Sequence, residues 1–398
     1  MNSSESALFD QAAEILDRFQ IEIPSWGFAN TGTRFGKFFQ PAAASTLEEK
    51  FSDAAEVHRL TGATPTLALH VLWDLPRGLA DVSEVQALER RTGIRSGSIN
   101  PNLFQNQEYK FGSLCNPDED IRQNALQHLL DSIEIGKQLH ARDISLWLAD
   151  GSNYPGTQSM RNRIKWLQTA LDAAHQHLAD DQRLLVEYKP FEPAFYHTDI
   201  ADWGMSAHLC REAGPQAFVL VDTGHHYLSQ NIEQIVAWLL HLDLLGGFHF
   251  NDRRYADDDL TLGSIDPYQI FRIFHELHSN KSEDQNRGAV PFMIDQSHNL
   301  KGKIEAMIQT VVTAQELWLK AALIDREKLA DLQQSCDLVA AEELFRGAFW
   351  RDVRPLAAAW REARGLAADP LAALRDGGYI ERITSERASR QSAVSSYA

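Results

Sequence analysis

The sequence predicts an α/β chain folded as a (β/α)8 TIM barrel, with additional helices at its N- and C-terminal ends. Two observations predict it. Eight short apolar, β-rich runs recur along the chain, their starts about 25–50 residues apart. The stretches between them read as helices. Strands alternating with helices build βαβ units on a parallel sheet, and eight such units close a barrel. An open doubly wound sheet is the other arrangement that such alternation allows.

The elements follow in order. An amphipathic segment, 5–19, reads as an N-terminal helix with Ser4 as candidate N-cap. The first run is 21–26, and runs at 66–72, 94–100 and 144–148 come next, the last of them preceded by a helical segment at 121–139. Runs at 184–188 and 218–222 follow the helical segment 161–178. Runs at 245–250 and 291–295 complete the eight, with helical segments at 232–242 and 268–277. The segment 303–320 is the expected last barrel helix, and 321–375 continues in Ala, Leu, Glu and Arg, a helix-forming composition. The tail, 385–398, is rich in Ser and polar residues, and is expected to be mobile unless a partner orders it. The chain thus divides into an N-terminal helix (1–20), a barrel domain (21–320) and a C-terminal helical extension with tail (321–398).

Composition narrows the function. The 398 residues are 44% hydrophobic and 23% charged, as in a globular protein with a large core. Lys and Arg number 38 against 55 Asp and Glu, a net charge of −17. Nucleic-acid and anionic-membrane surfaces need clustered cations, so neither partner is expected. No apolar run approaches the roughly 18 residues of a membrane helix, and the first ten residues lack the basic start and apolar core of a secretory signal. Cys115, Cys210 and Cys336 are far apart and show no CxxC spacing, against a disulfide framework or a cysteine zinc site. A cytoplasmic protein is the expectation. Dinucleotide and phosphate loops, the HExxH zinc helix, the GxSxG elbow and the EF-hand pattern are all missing; His275-Glu276-Leu277-His278 has the wrong spacing for the third.

In a barrel, functional residues stand at the C-terminal ends of strands. Four consecutive runs, from the fifth to the eighth, carry Glu187, Asp222, His249 and Asp295 at or near those ends. One such residue is an ordinary polar exit from a buried strand. Three carboxylates converging on one mouth repel one another unless a cation binds them, and these donors suit a hard or borderline divalent ion. A second set lies beside them. His225 follows Asp222 by three residues, and Asp257 and Asp259 lie in the loop after His249. With Asp222 shared, they would hold a second cation; the bland alternative is an acidic solvated loop. Lys189, two residues past Glu187, shares its face on an extended chain and is placed to polarise a substrate oxygen. His70, Trp73, Asn100 and Trp147, near the ends of the earlier runs, offer the aromatic planes and donors of a sugar pocket, although each taken alone is ordinary core.

The segments Val186-Glu187-Tyr188-Lys189-Pro190, Val221-Asp222-Thr223-Gly224-His225-His226, Phe248-His249-Phe250-Asn251-Asp252 and Ile294-Asp295-Gln296 resemble the broad-specificity L-rhamnose isomerases, relatives of xylose isomerase. Asp150-Gly151-Ser152-Asn153-Tyr154-Pro155-Gly156 is similar to the same family, and the resemblance runs from about Trp26 to Asp295. It implies two divalent ions per subunit, Mn²⁺ first, with Co²⁺, Mg²⁺ and Zn²⁺ as other candidates, and no organic cofactor. Glu187, Asp222, His249 and Asp295 would bind the structural metal. His225, Asp257 and Asp259, with Asp222 nearby, would bind the catalytic one. Lys189 would contact the sugar near O1, and His70, Trp73 and Trp147 would line its pocket. Lys189, His225 and Asp295 are the implied catalytic residues.

The implied reaction interconverts L-rhamnose and L-rhamnulose, and related aldoses, by a metal-assisted hydride shift between C1 and C2. An enediol route with Asp295 as base is the other chemistry. The resemblance further implies a homotetramer in which the loop 31–39, with Phe35, reaches into a neighbour's site. Three alternatives stand beside it. A single-metal ketose 3-epimerase does not need the second set. A metal-dependent phosphodiesterase or nuclease would need a basic groove, for which Arg253-Arg254 is the local candidate. A sugar-sensing barrel without activity should have lost a ligand.

Overall fold

A computed structural model of the chain describes residues 3–30, 32–33, 36–192, 196–255, 259–279 and 290–388. Eight parallel strands form one sheet in chain order: β1 (Ile23–Pro24), β2 (Thr66–His70), β3 (Arg95–Asn100), β4 (Asp143–Leu146), β5 (Arg183–Glu187), β6 (Ala217–Asp222), β7 (Leu245–Phe250) and β8 (Phe292–Ile294). The sheet closes on itself, because Glu22 pairs in parallel with Met293. The Glu22 amide donates to the Phe292 carbonyl at 2.7 Å and the Ile294 amide to the Glu22 carbonyl at 2.9 Å. The expected (β/α)8 barrel is therefore the fold, and the open sheet is not. Each of the eight runs overlaps a strand, three of which begin one residue earlier than expected, at Asp143, Arg183 and Ala217. β1 is the most curtailed: Pro24 has no N–H to extend a ladder, and the chain turns into a 3-10 segment, Ser25–Phe28.

Among the described residues, nine helices belong to the barrel or precede it: α1 (Ser3–Asp17), α2 (Leu47–Thr61), α3 (Val82–Thr92), α4 (Glu119–Leu139), α5 (Met160–His177), α6 (Trp203–Ala213), α7 (Ile232–His241), α8 (Pro267–Ser279) and α9 (Lys303–Ala322). Their starts carry local signals. Thr46 and Glu49 form a reciprocal capping box on α2, and Asp118, Ser159, Asp202 and Asn231 each accept an amide hydrogen bond at the head of a helix. Among the described residues, no helix is long and apolar enough to cross a membrane.

Strand alternation decides what reaches the barrel axis. Leu184, Val186, Ala217, Val219, Val221, Phe248, Phe250 and Ile294 point outward into the main core beneath the helices. Leu185, Phe218, Leu220 and Met293 form a separate inner cluster. Two residues on from Leu185, Leu220 and Met293 stand Glu187, Asp222 and Asp295, so period-2 geometry sends these carboxylates to the same side as that cluster, one level higher. The pairing of Asp222 with His249, and of His249 with Met293, puts His249 at that height.

The opposite end of the barrel holds a buried carboxylate. Glu22 accepts from the Ser98 amide with both oxygens, at 3.0 Å each, and from the Ser98 hydroxyl at 2.5 Å. Burial pushes its carboxyl above the usual range. Its side chain lies directly over Gly97, where a Cβ would sit 1.4 Å from Glu22 Oε2.

The C-terminal helices α10 (Arg326–Gln334), α11 (Leu338–Trp350), α12 (Arg354–Ala363), α13 (Pro370–Asp376) and α14 (Tyr379–Arg387) pack on the barrel's flank. Val353, Ala357 and Trp360 bury against Ala12, Leu16 and Leu319. Arg387 reaches α2, donating to both oxygens of Asp53 at 2.9 Å, and the Tyr379 hydroxyl donates to the same carboxylate at 2.9 Å. The start of the expected mobile tail, 385–387, is thus docked helix; 389–398 lies outside the described residues.

Candidate active site

Glu187, Asp222, His249 and Asp295 meet at the C-terminal mouth of the barrel. Each offers one ligand atom, and the four atoms lie within 4.8 Å of one another. His249 Nδ1 is 3.2 Å from Glu187 Oε2, 3.8 Å from Asp295 Oδ2 and 4.0 Å from Asp222 Oδ2. Glu187, Asp222 and His249 are buried; the Asp295 side chain is 25% exposed to the cavity above. Glu187 Oε1 and His249 Nδ1 are buried with no hydrogen-bond partner. Such orphaned atoms are costly and are characteristic of donors set for an ion. Burial opposes the charge on both groups. The His249 and His225 imidazoles nevertheless hold the Glu187 carboxyl down to about 2, and the three carboxylates push His249 up to about 9.

The cluster is braced from outside. Asn251 Nδ2 donates to both Asp222 oxygens at 3.0 and 3.1 Å, and the Gly224 amide donates to Oδ1 at 2.6 Å. A Cβ at Gly224 would meet Asn251 Oδ1 at 2.4 Å, so glycine is required for this close approach. The Trp26 indole donates to Asp295 Oδ1 at 2.8 Å. Neither Trp26 nor Asn251 is singled out by sequence reasoning. Their signal is tertiary: Trp26 lies 269 residues from its partner in sequence.

Of the second set, the structure brings His225 to the cluster. Its Nδ1 lies 3.1 Å from Glu187 Oε1 and 3.1 Å from the Tyr188 carbonyl. Both of these neighbours can only accept, so Nδ1 carries a proton, and Nε2 faces Asp222 Oδ2 at 4.0 Å. Asp259 lines the same cavity. Asp257 lies outside the described residues.

The cavity has a volume of about 620 Å³. Trp26, His70, Trp73, Phe104 and Trp147 form its aromatic wall, with His70 stacked on Trp73 at 3.9 Å between ring centroids. Burial lowers His70 to about 4, which keeps its imidazole neutral near pH 7. Asn100, Ser297 and Asn299 add amide and hydroxyl groups. Ser145 Oγ and Trp147 Nε1 are buried without hydrogen-bond partners. Lys189 reaches the cavity with its Nζ 2.8 Å from Glu192 Oε2 and 5.2 Å from the centre of the Trp147 ring. Phe35 lies outside the described residues. The Asp150 carboxylate is taken up by the Ser113 amide and hydroxyl and the Cys115 amide, so it braces a loop and does not enter the cavity. Arg253 is buried, not part of a basic groove.

A closed barrel with converging donors under an aromatic, polar cavity has the form of a small-molecule site of the barrel class. Comparison places the chain within that class. A family model described as xylose isomerase-like TIM barrel matches residues 65–280. A Rhizobium meliloti (strain 1021) protein named "Probable sugar isomerase" is 39% identical over 377 residues, spanning 93% of this chain and 86% of its own. Xylose isomerase of Thermus thermophilus is 28% identical over 52% of this chain and 57% of its own length. In structure, D-allulose 3-epimerase from Methylomonas sp. superposes with a TM-score of 0.54 at 15% identity, covering 74% of this chain and 95% of that one, a likeness of fold. The chain belongs to the xylose isomerase-like TIM barrel family.

Proposed function

We propose that the chain is a metal-dependent aldose–ketose isomerase, with L-rhamnose and L-rhamnulose the pair that its motifs resemble most. The observation that carries this reading is the Glu187–Asp222–His249–Asp295 cluster beneath a sugar-sized cavity. The name of the Rhizobium relative and the xylose isomerase likeness support the reaction class. Three carboxylates and an imidazole with orphaned buried atoms fit a hard or borderline divalent cation, Mn²⁺ first. His225 Nε2, with Asp222, Asp257 and Asp259, would hold a second.

Bound there, such cations supply Lewis acidity to the oxygens on C1 and C2. The chain's own residues do the rest. Lys189 Nζ donates to O1, steadied by Glu192 and the face of Trp147. Neutral His70, its Nδ1 on the Val71 carbonyl at 3.1 Å, offers Nε2 as an acceptor for a sugar hydroxyl. Ser145 Oγ and Trp147 Nε1 supply further partners for the hydroxyl groups, and the Trp26 and Trp73 rings cover apolar faces of the carbons. One hydrogen moves from C2 to C1 and one proton from O2 to O1, so atoms balance without an organic cofactor. A homotetramer with the Phe35 loop reaching a neighbouring site is part of the same reading.

A second reading, a single-cation ketose 3-epimerase, has one observation in its favour: among the described residues, one group of four donors is complete. One experiment separates the two. Protein stripped with EDTA should convert L-rhamnose to ketose only after Mn²⁺ is restored. Loaded protein that forms no ketose from L-rhamnose or from a panel of aldoses would defeat the isomerase reading. C3 inversion of a ketose by the same sample would establish the second.

A further inference from the structure

Arg253 is a buried guanidinium, 6% exposed, and among the described residues its side-chain hydrogen bonds go to Thr223, His226, Tyr227 and Gln269, none of them in the cluster. Its Nε donates to the His226 carbonyl at 2.7 Å, Nη1 to the Thr223 carbonyl at 3.0 Å and Nη2 to the Tyr227 carbonyl at 3.1 Å. Nη1 also meets Gln269 Oε1, from α8, at 3.3 Å. Among the described residues, no carboxylate lies within ion-pair distance of it. Three of its donated hydrogen bonds go to carbonyls of one loop, the segment 223–227 that carries His225.

The loop needs such a centre. Of the three carbonyls turned towards it, that of Tyr227 also accepts from the Gln230 amide at 3.0 Å, whereas those of Thr223 and His226 take their donors from the planar guanidinium fork. The Arg253 backbone is fixed in turn: Asp252 is buried, and its Oδ2 accepts from the Ile265 and Asp266 amides at 2.8 and 3.0 Å. Across the loop, the Tyr188 hydroxyl and His226 Nε2 are 2.6 Å apart, tying the loop to the end of β5.

We infer that Arg253 is a positioning residue: it wraps the 223–227 loop around its guanidinium and so holds His225 against Glu187 and Asp222. The inference rests on the reading of that cluster as a cation site. Three variants test it: Arg253→Met, Arg253→Lys, and Arg211→Met as a control on an exposed arginine of α6. Amide hydrogen exchange of the metal-free proteins is followed in peptides spanning 220–230, with cobalt affinity by titration and kcat and KM for L-rhamnose with Mn²⁺.

In Arg253→Met, exchange across 223–228 should rise at least tenfold while distant segments stay as in wild type. Cobalt binding should weaken about tenfold, and kcat should fall more than thirtyfold with KM within threefold. Arg253→Lys, whose donors are not a planar fork, should shift the same way by less, and stands as the test alone if the methionine variant does not fold. Arg211→Met should match wild type. Wild-type exchange and cobalt affinity in both Arg253 variants would overturn the inference. So would a loss spread evenly over the chain with unchanged kcat per folded molecule, or a wild type that binds no cobalt. The exchange and cobalt readouts need no sugar. A protein that isomerises nothing would therefore defeat the proposed reaction while these two arms still judge the clamp.

Discussion

Asp222 shows how one residue's environment sets its use. Its carboxylate accepts from Asn251 Nδ2 with both oxygens and from the Gly224 amide with Oδ1, and faces His249 and His225. Replacing Asn251 by Ala would leave that carboxylate partly unsatisfied and able to rotate. Groups that orient a metal ligand typically matter by 10–100-fold. Asn251→Ala should therefore bind Mn²⁺ about 10–100-fold more weakly than wild type, measured by calorimetry, with its secondary structure unchanged by circular dichroism. Glu187→Gln removes one of the proposed ligands and should abolish ketose formation together with tight cation binding. Glu187 and Asp222 were legible because a charged residue ending an apolar run is a sequence-local signal. Asn251 and Trp26 were not, because an amide or an indole becomes meaningful only once two distant strands are neighbours. Asp259 could be named from its place after His249, but its distance from His225 is a matter of loop geometry that spacing does not encode.

At the scale of elements, alternation along each strand carried most of the information. Leu185 with Glu187, Leu220 with Asp222 and Met293 with Asp295 are i, i+2 pairs, so both members of each pair follow from one strand assignment. Lengths were less legible. β1 is two residues long because Pro24 and the turn after it end the ladder, a tertiary outcome hidden in an apolar run of six. The contact of Gly97 with Glu22 was equally hidden, since neither residue marks the other in sequence. Gly97→Ala would force a Cβ into the Glu22 carboxylate and should cost about 2–4 kcal/mol by urea unfolding. The extension beyond residue 321 was legible as helix but not as a strut. Arg387, 4% exposed, neutralises Asp53 inside the seam between α14 and α2. Arg387→Met strands that carboxylate, and breaking a buried pair from one side costs about 3–5 kcal/mol. The double variant Asp53→Asn, Arg387→Met should recover part of the loss; additive losses would show that the pair is not coupled.

At the scale of the whole molecule, the sequence carries 15 histidines, and several are locked neutral in the fold. Burial lowers His278 to about 3, aided by nearby Arg326, and lowers His275 to about 4. His278 lies against Trp318, with 3.7 Å between ring centroids, and its Nε2 is buried without a hydrogen-bond partner. An unfolded imidazole titrates near 6.5. As pH falls below that value, the unfolded chain takes up protons that these native side chains refuse. Stability is then lost progressively, until the native pKa is reached. For His278 the loss between pH 6.5 and 5 is about 1–2 kcal/mol. Buried carboxyls with raised values, such as Glu22 and Asp150, act in the other direction as they protonate, so the bare pH slope of the wild type mixes both effects. The variant His278→Gln isolates one of them. It loses the ring contact with Trp318 and should be less stable than wild type at pH 6.5. Its unfolding free energy should nevertheless fall by about 1–2 kcal/mol less than that of wild type on going to pH 5. Equal falls in the two proteins, read from urea unfolding of EDTA-stripped samples, would mean that His278 takes up its proton in the folded barrel as readily as in the unfolded chain.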